Sequence, residues 1–182
     1  MLKTGDILIS EPYLGDENFE RSVILLGSHN EEGSLGFVLN QKSNLLLSDV
    51  VSDALTDFEI PLYIGGPVEQ DTLHFIYRNE LPLQGAIHVI ENLFWGGDFN
   101  QLKLMLQNKQ VKQEAIRFFL GYSGWSKGQL EGEMTQKAWI VHTLTAEEIF
   151  GLDTENMWRS ILKNMGGEYK ALSNYPIDPR LN

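Results

Sequence analysis

From Leu73 to Arg78 the chain reads Leu-His-Phe-Ile-Tyr-Arg, with Leu73, Phe75 and Tyr77 at every second position. The same period returns where Ile116, Phe118 and Leu120 alternate with Arg117 and Phe119, and where Trp139 and Val141 alternate with Ile140 and His142. Successive side chains of an extended strand point to opposite faces, so this repeat predicts strands. Ser22 to Gly27 is nearly continuous Val-Ile-Leu-Leu, as in a strand buried on both faces. A polar stretch, His29-Asn30-Glu31-Glu32-Gly33, separates it from a second apolar run, Leu35 to Leu39. That arrangement predicts a hairpin. Ile7 to Ile9, Leu62 to Ile64 and Ile87 to Val89 add shorter strands, the second stopping at Gly65-Gly66-Pro67.

Helix signals are fewer. Ser48 is placed to cap a short helix running to Leu55, with Val50, Val51 and Ala54 on one face. Asp98 is placed to cap another, whose stripe is Phe99, Leu102, Met105 and Leu106. Thr145-Ala146-Glu147-Glu148 has the form of a capping box. Thr154 opens the expected last helix, which buries Trp158, Ile161, Leu162 and Met165 and ends at Gly166-Gly167. Strands come in clusters and helices do not alternate with them. The pattern predicts an α+β fold with a mixed or largely antiparallel sheet and a few flanking helices, rather than a doubly wound fold.

The 182 residues fit one domain spanning positions 1–182. There are no cysteines, which removes disulfides, thiolate metal sites and cysteine nucleophiles together. After the basic start only Ile7 to Ile9 is apolar, too short for the core of a secretory signal, and no run is long enough to cross a bilayer. The expectation is a soluble cytoplasmic protein. Net charge is −11, from 14 basic and 25 acidic residues. A field of that sign repels phosphate backbones and anionic membrane surfaces, so direct nucleic-acid binding is disfavoured and no membrane partner is expected.

Catalytic and metal motifs are sparse. His29, His74, His88 and His142 have no metal-ligand spacing, and no metal site is expected. The three on strands lie opposite the apolar parity, toward solvent or a polar neighbour. Gly65-Gly66-Pro67 lacks the Gly-Lys-Ser/Thr of a phosphate loop, and no cofactor is implied. Gly124-Trp125-Ser126-Lys127-Gly128 matches the letters of a nucleophile elbow. It lacks the parallel α/β units that carry such an elbow, and His142 is the only histidine downstream. Ser160-x-x-Lys163 is a chance match.

The densest unusual segment is Gly121 to Glu133, Gly-Tyr-Ser-Gly-Trp-Ser-Lys-Gly-Gln-Leu-Glu-Gly-Glu. Its glycines suit a tight, shaped loop. Trp125, Gln129 and Glu131 are placed to line a small polar pocket, or Trp125 plugs the core while Glu131 serves loop backbone. Two further binding candidates are Arg21, beside a buried strand, and Asn40, at a strand end. Arg21 is expected to hold a carboxylate such as Glu69 or Glu131, and Asn40 to close a turn.

Several segments together resemble the YqgE/AlgH family of bacterial proteins. They are Asp16-Glu17-Asn18-Phe19-Glu20-Arg21-Ser22-Val23, Gly36-Phe37-Val38-Leu39-Asn40, Tyr63-Ile64-Gly65-Gly66-Pro67-Val68, Gly121-Tyr122-Ser123-Gly124-Trp125 running into Gly128-Gln129-Leu130-Glu131-Gly132-Glu133, and Tyr175-Pro176. The resemblance implies an α+β domain with coiled, partly barrel-like sheets in the bacterial cytosol, and carries a label of transcriptional regulator. It brings no catalytic residues. The leading expectation is a non-enzymatic module that binds a protein partner or small ligand, any effect on transcription being indirect. The alternatives are a hydrolase-like enzyme pairing Glu131 with Glu133 while Arg21 holds an anionic substrate, and a direct DNA-binding regulator, disfavoured by charge.

Overall fold

The computed structural model describes residues 1–51, 55 and 58–176. In chain order the strands are β1 (Ile7–Ser10), β2 (Val23–Asn30), β3 (Gly33–Val38), β4 (Lys42–Leu46), β5 (Pro61–Ile64), β6 (Val68–Arg78), β7 (Ile87–Ile90), β8 (Leu93–Trp95), β9 (Ile116–Ser126) and β10 (Trp139–His142). The helices are α1 (Leu47–Val50), α2 (Phe99–Gln107), α3 (Gln129–Thr135), α4 (Ala146–Gly151), α5 (Met157–Met165) and α6 (Gly167–Leu172). The strands form one sheet in the order β10-β1-β2-β3-β9-β6-β8-β7, and β5 bridges β4 to β9. Every pairing is antiparallel except β5 with β9. The fold is α+β, a mostly antiparallel sheet that stays open rather than closing into a barrel.

The period-two pattern sorts the core. On β1 and β2, Ile7, Ile9, Val23 and Leu25 face a cluster built with α4 and α5, while Leu8, Ile24 and Leu26 face a second cluster built with Trp125, Leu130 and Trp139. On β6 and β9, Ile76 and Phe119 join the first cluster, while Phe75, Tyr77, Ile116 and Phe118 join a third with Leu102 and Leu106 of α2. The sheet is therefore covered on both faces.

β9 holds the two halves together. Its first part lies between β6 and β5, and its second part pairs with β3. The changeover falls at Gly121, whose φ is 67°, beside the Gly65-Gly66 turn. A Cβ on Gly65 would meet Gly121 O at 2.3 Å, and one on Gly66 would meet Tyr122 backbone at 2.3 Å. Ser123 Oγ closes the junction by donating to Gly65 O at 3.0 Å. The two glycine-rich motifs of the sequence thus meet as a backbone crossing.

Helix ends follow the sequence in part. Asp98 accepts from Asn100 N and Gln101 N, and Thr145 with Glu148 forms the capping box. α1 departs from expectation. It starts at Leu47, with the Asp49 carboxylate accepting from Leu46 N, and Val50 is exposed. Ala54, assigned to the same face, lies outside the described residues. α5 starts at Met157 rather than Thr154 and is followed by α6, because Gly166 breaks the helix without ending the helical region. Among the described residues, no helix is long and apolar enough to cross a membrane.

Candidate functional site

The segment expected as one loop is the end of a strand, a two-residue turn at Lys127-Gly128 and a helix. β9 runs to Ser126, and Gly128, with φ 74°, turns the chain into α3. Gln129 ties the turn down, its Oε1 accepting from Ser126 N at 3.0 Å and Ser126 Oγ at 3.2 Å. Its Nε2 donates to Glu133 Oε1 at 3.0 Å. The other carboxylate oxygen, Glu133 Oε2, accepts from Trp125 Nε1 at 2.9 Å and Trp139 Nε1 at 2.7 Å. Both indoles are nearly buried, and an indole N–H usually finds a partner when buried. Phe19 stacks on Trp125 at 6.3 Å and meets Trp139 edge-on at 5.5 Å.

These groups line a pocket of about 240 Å3 with Asp16, Pro67 and Gln136. Among its described lining residues are two carboxylates and no lysine or arginine. Among the described residues Glu133 is held by neutral donors only, and no cation lies within ion-pair distance of it.

Of the residues predicted from sequence, Trp125 and Gln129 sit at this pocket. Glu131 does not. It lies two residues before Glu133, about 200° round the helix, and approaches His29 Nε2 at 3.8 Å with its side chain 56% exposed. The proposed acid–base pair of Glu131 and Glu133 is therefore not assembled. His29 Nδ1 also lies 2.7 Å from Ser34 Oγ, giving a serine, a histidine and an acid in a row. Ser34 is buried, and the adjoining pocket is lined by Met1, Leu2, His29, Glu131, Met134 and Val141 without it. A substrate there would not meet the hydroxyl. Ser126 Oγ is engaged by Gln129, not by a histidine.

Arg21 and Asn40 serve a separate joint. Arg21 takes φ 49°, and Asn40 fixes it there, Nδ2 donating to Arg21 O and Oδ1 accepting from Val23 N, each at 2.9 Å. The Arg21 guanidinium lies 4.9 Å from the Trp158 ring and donates to Tyr175 O, while Tyr175 stacks on Tyr13. Neither Glu69 nor Glu131 is its partner. Burial, with Arg159 nearby, lowers its pKa. Arg21 bolts Tyr175 to the body, and among the described residues no carboxylate lies within ion-pair distance of it.

Sequence reasoning passed over Arg117, while His74 takes the second of its two expected surroundings, a polar neighbour rather than solvent. Arg117 shares the face of Phe119, and that face is covered. The side chain is only 7% exposed, with Nη1 donating to Leu39 O at 3.3 Å. The guanidinium carbon is 5.0 Å from the Tyr63 ring and 5.6 Å from the Phe150 ring. Burial pushes its pKa down, with Tyr63 acting the other way. No carboxylate lies within ion-pair distance among the described residues. His74 is half-buried beside Phe37, Trp95 and Tyr122, its Nε2 3.0 Å from Thr72 Oγ1, and burial lowers its pKa.

With this geometry in place, comparison with known proteins identifies the lineage. The family described as DUF179, AlgH-like, matches residues 7–170. The chain belongs to the AlgH-like family. A UPF0301 protein of Cytophaga hutchinsonii is 50% identical over 183 residues, covering 100% of both chains. One from Chlorobaculum tepidum is 40% identical over 100% of this chain and 97% of its own. Among solved structures, the AlgH protein of Pseudomonas aeruginosa aligns with a TM-score of 0.73 at 27% identity, over 94% of this chain and 93% of that one. A Corynebacterium diphtheriae protein aligns at 0.78 with 21% identity, over 96% and 93%, a likeness of fold. The names of these AlgH-like relatives assign no reaction.

Proposed function

We propose that this AlgH-like protein is a non-enzymatic binding module of the bacterial cytoplasm, and that its contact site is the pocket around Glu133. The occupant is a cationic group, an amine or guanidinium carried by a partner protein or a small ligand. One observation carries this reading: a carboxylate held by two indole N–H groups and an amide, walled by Phe19, Trp125 and Trp139, with Asp16 nearby and no basic residue among the described lining residues. Aromatic faces attract cations through their quadrupole, and a carboxylate already fixed in position needs no reordering to receive one. The chain's net charge of −11 would draw a basic partner toward it. Any effect on transcription is then indirect, through the partner bound.

Calorimetric titration with short peptides tests the reading. A lysine- or arginine-bearing peptide should bind the native protein, and its norleucine counterpart should bind at least tenfold more weakly. Glu133→Gln should remove that difference. Equal binding of the charged and neutral peptides would refute a cation site, and turnover of any substrate that depends on Glu131 or Glu133 would refute a non-enzymatic role.

A further inference from the structure

Among the described residues Arg117 is the buried cation, and nothing described so far uses it. It sits on β9 in register with Ile76 of β6, beneath Phe150 of α4 and beside Tyr63 of β5. Nη1 is occupied by Leu39 O. Nε and Nη2 have no hydrogen-bond partner among the described residues, yet neither is sealed off as Arg21 Nε is. Buried polar groups are ordinarily paired, and a buried charge ordinarily has a counter-charge. This one has two rings and a carbonyl.

The side chain also lines a pocket of about 240 Å3, whose walls include Ile60, Pro61, Tyr63, Gln113 and Phe150. It lies apart from the Glu133 pocket, with no lining residue in common. We infer that this pocket is an anion site in which Arg117 receives the carboxylate or phosphate group of a small molecule. The free Nε–H and Nη2–H edge presents two parallel donors, the geometry that a planar carboxylate or two phosphate oxygens accept together. The Tyr63 and Phe150 rings lie 5.0 and 5.6 Å from the guanidinium carbon, and a side chain already packed against its neighbours loses little freedom on binding. Gln113, whose Nε2 already donates to Glu59 O at 3.0 Å, stands at the pocket with its amide fixed. The volume admits a ligand of only a few heavy atoms beyond the anionic group, below the usual range for drug-sized molecules of about 300–1,000 Å3. Glu114 also lines the opening, which disfavours dianions relative to monoanions.

The test uses the intact protein and three probes: acetate, benzoate and inorganic phosphate. In proton–nitrogen NMR spectra, the Arg117 Nε–H resonance should shift saturably with at least one probe, identified by its disappearance in Arg117→Met. Saturation by acetate or benzoate assigns a carboxylate site, and saturation by phosphate alone assigns a phosphate site. Methionine keeps most of the volume without the charge, and exchanging a buried ion for an apolar residue is often tolerated. Arg117→Met should therefore remain folded and lose the rise in Tm that the binding probe gives the native protein. A resonance that moves with none of the three probes would overturn the inference. So would a probe-induced rise in Tm retained in full by Arg117→Met.

Discussion

Trp125 and Trp139, on strands β9 and β10, direct their indole N–H groups at the same oxygen of Glu133, at 2.9 and 2.7 Å. One carboxylate thereby joins α3 to two strands that do not pair with each other. The joint has a measurable consequence. Glu133→Leu would leave two buried donors without an acceptor, each costing about 1–3 kcal/mol. The expected loss is about 2–6 kcal/mol in urea unfolding. Glu133→Gln keeps an acceptor oxygen and should lose less than half as much.

The Gly65 crossing gives a steric prediction. Gly65→Ala forces a methyl group against Gly121 O, 2.3 Å from the ideal Cβ position, with Phe119 Cβ and Phe37 Cδ1 at 3.1 Å. Two backbones must separate to admit it, and overpacking of this kind costs about 1–3 kcal/mol or more. Thermal unfolding should show a clearly lowered Tm. Gly132→Ala, where an added methyl group meets nothing within 4 Å beyond the backbone of its own helix, should leave Tm unchanged or raise it, because alanine favours a helix by about 1 kcal/mol over glycine.

Asn40 holds Arg21 in its left-handed conformation through two hydrogen bonds. Asn40→Ala removes both, a loss of about 2 kcal/mol at about 1 kcal/mol each. Since Arg21 also anchors Tyr175 O, hydrogen exchange at the C-terminal segment should quicken in the same variant.

His74 sets a pH dependence. Its pKa is lowered from 6.5 mainly by burial, against a weaker opposing influence from Glu69. Phe37, Trp95 and Tyr122 pack around it and Thr72 is its polar neighbour. The unfolded chain therefore binds a proton at a higher pH than the native one does. The stabilisation is fully present above about 6.5 and declines as pH falls toward the depressed native value. Unfolding free energy measured from pH 7.5 to 5 should fall, and His74→Phe should flatten that part of the curve.

Much of this architecture was legible because alternation is a property of strands wherever they end up. β6, the first half of β9 and β10 carried it openly, and Asp98 and Thr145 announced their helices by capping chemistry. β4 was missed because its side chains, Lys42, Ser43 and Asn44, are mostly exposed and polar. α3 was missed because Gly128 and Gly132 argue against a helix, while the hydrogen bonds of Gln129 and Glu133 that secure it are tertiary. The same confusion moved the site by one helical flank. Glu131 and Glu133 look alike in a loop, and only a helix decides which of them faces Trp125. Arg117 was passed over because it stands at the parity of Phe119, off the Ile116-Phe118-Leu120 stripe. Period two reports two faces without saying that helices α4 and α5 will cover the second.

The claim that Glu133 and its indoles receive a cation is most directly tested by following the Trp125 and Trp139 Nε1–H resonances while a lysine-bearing peptide is added. Both signals should move together and saturate, since both protons rest on the oxygen that the cation approaches, and Glu133→Gln should abolish the response. Indole signals that stay fixed through saturating peptide, or that move equally with a norleucine peptide, would contradict it.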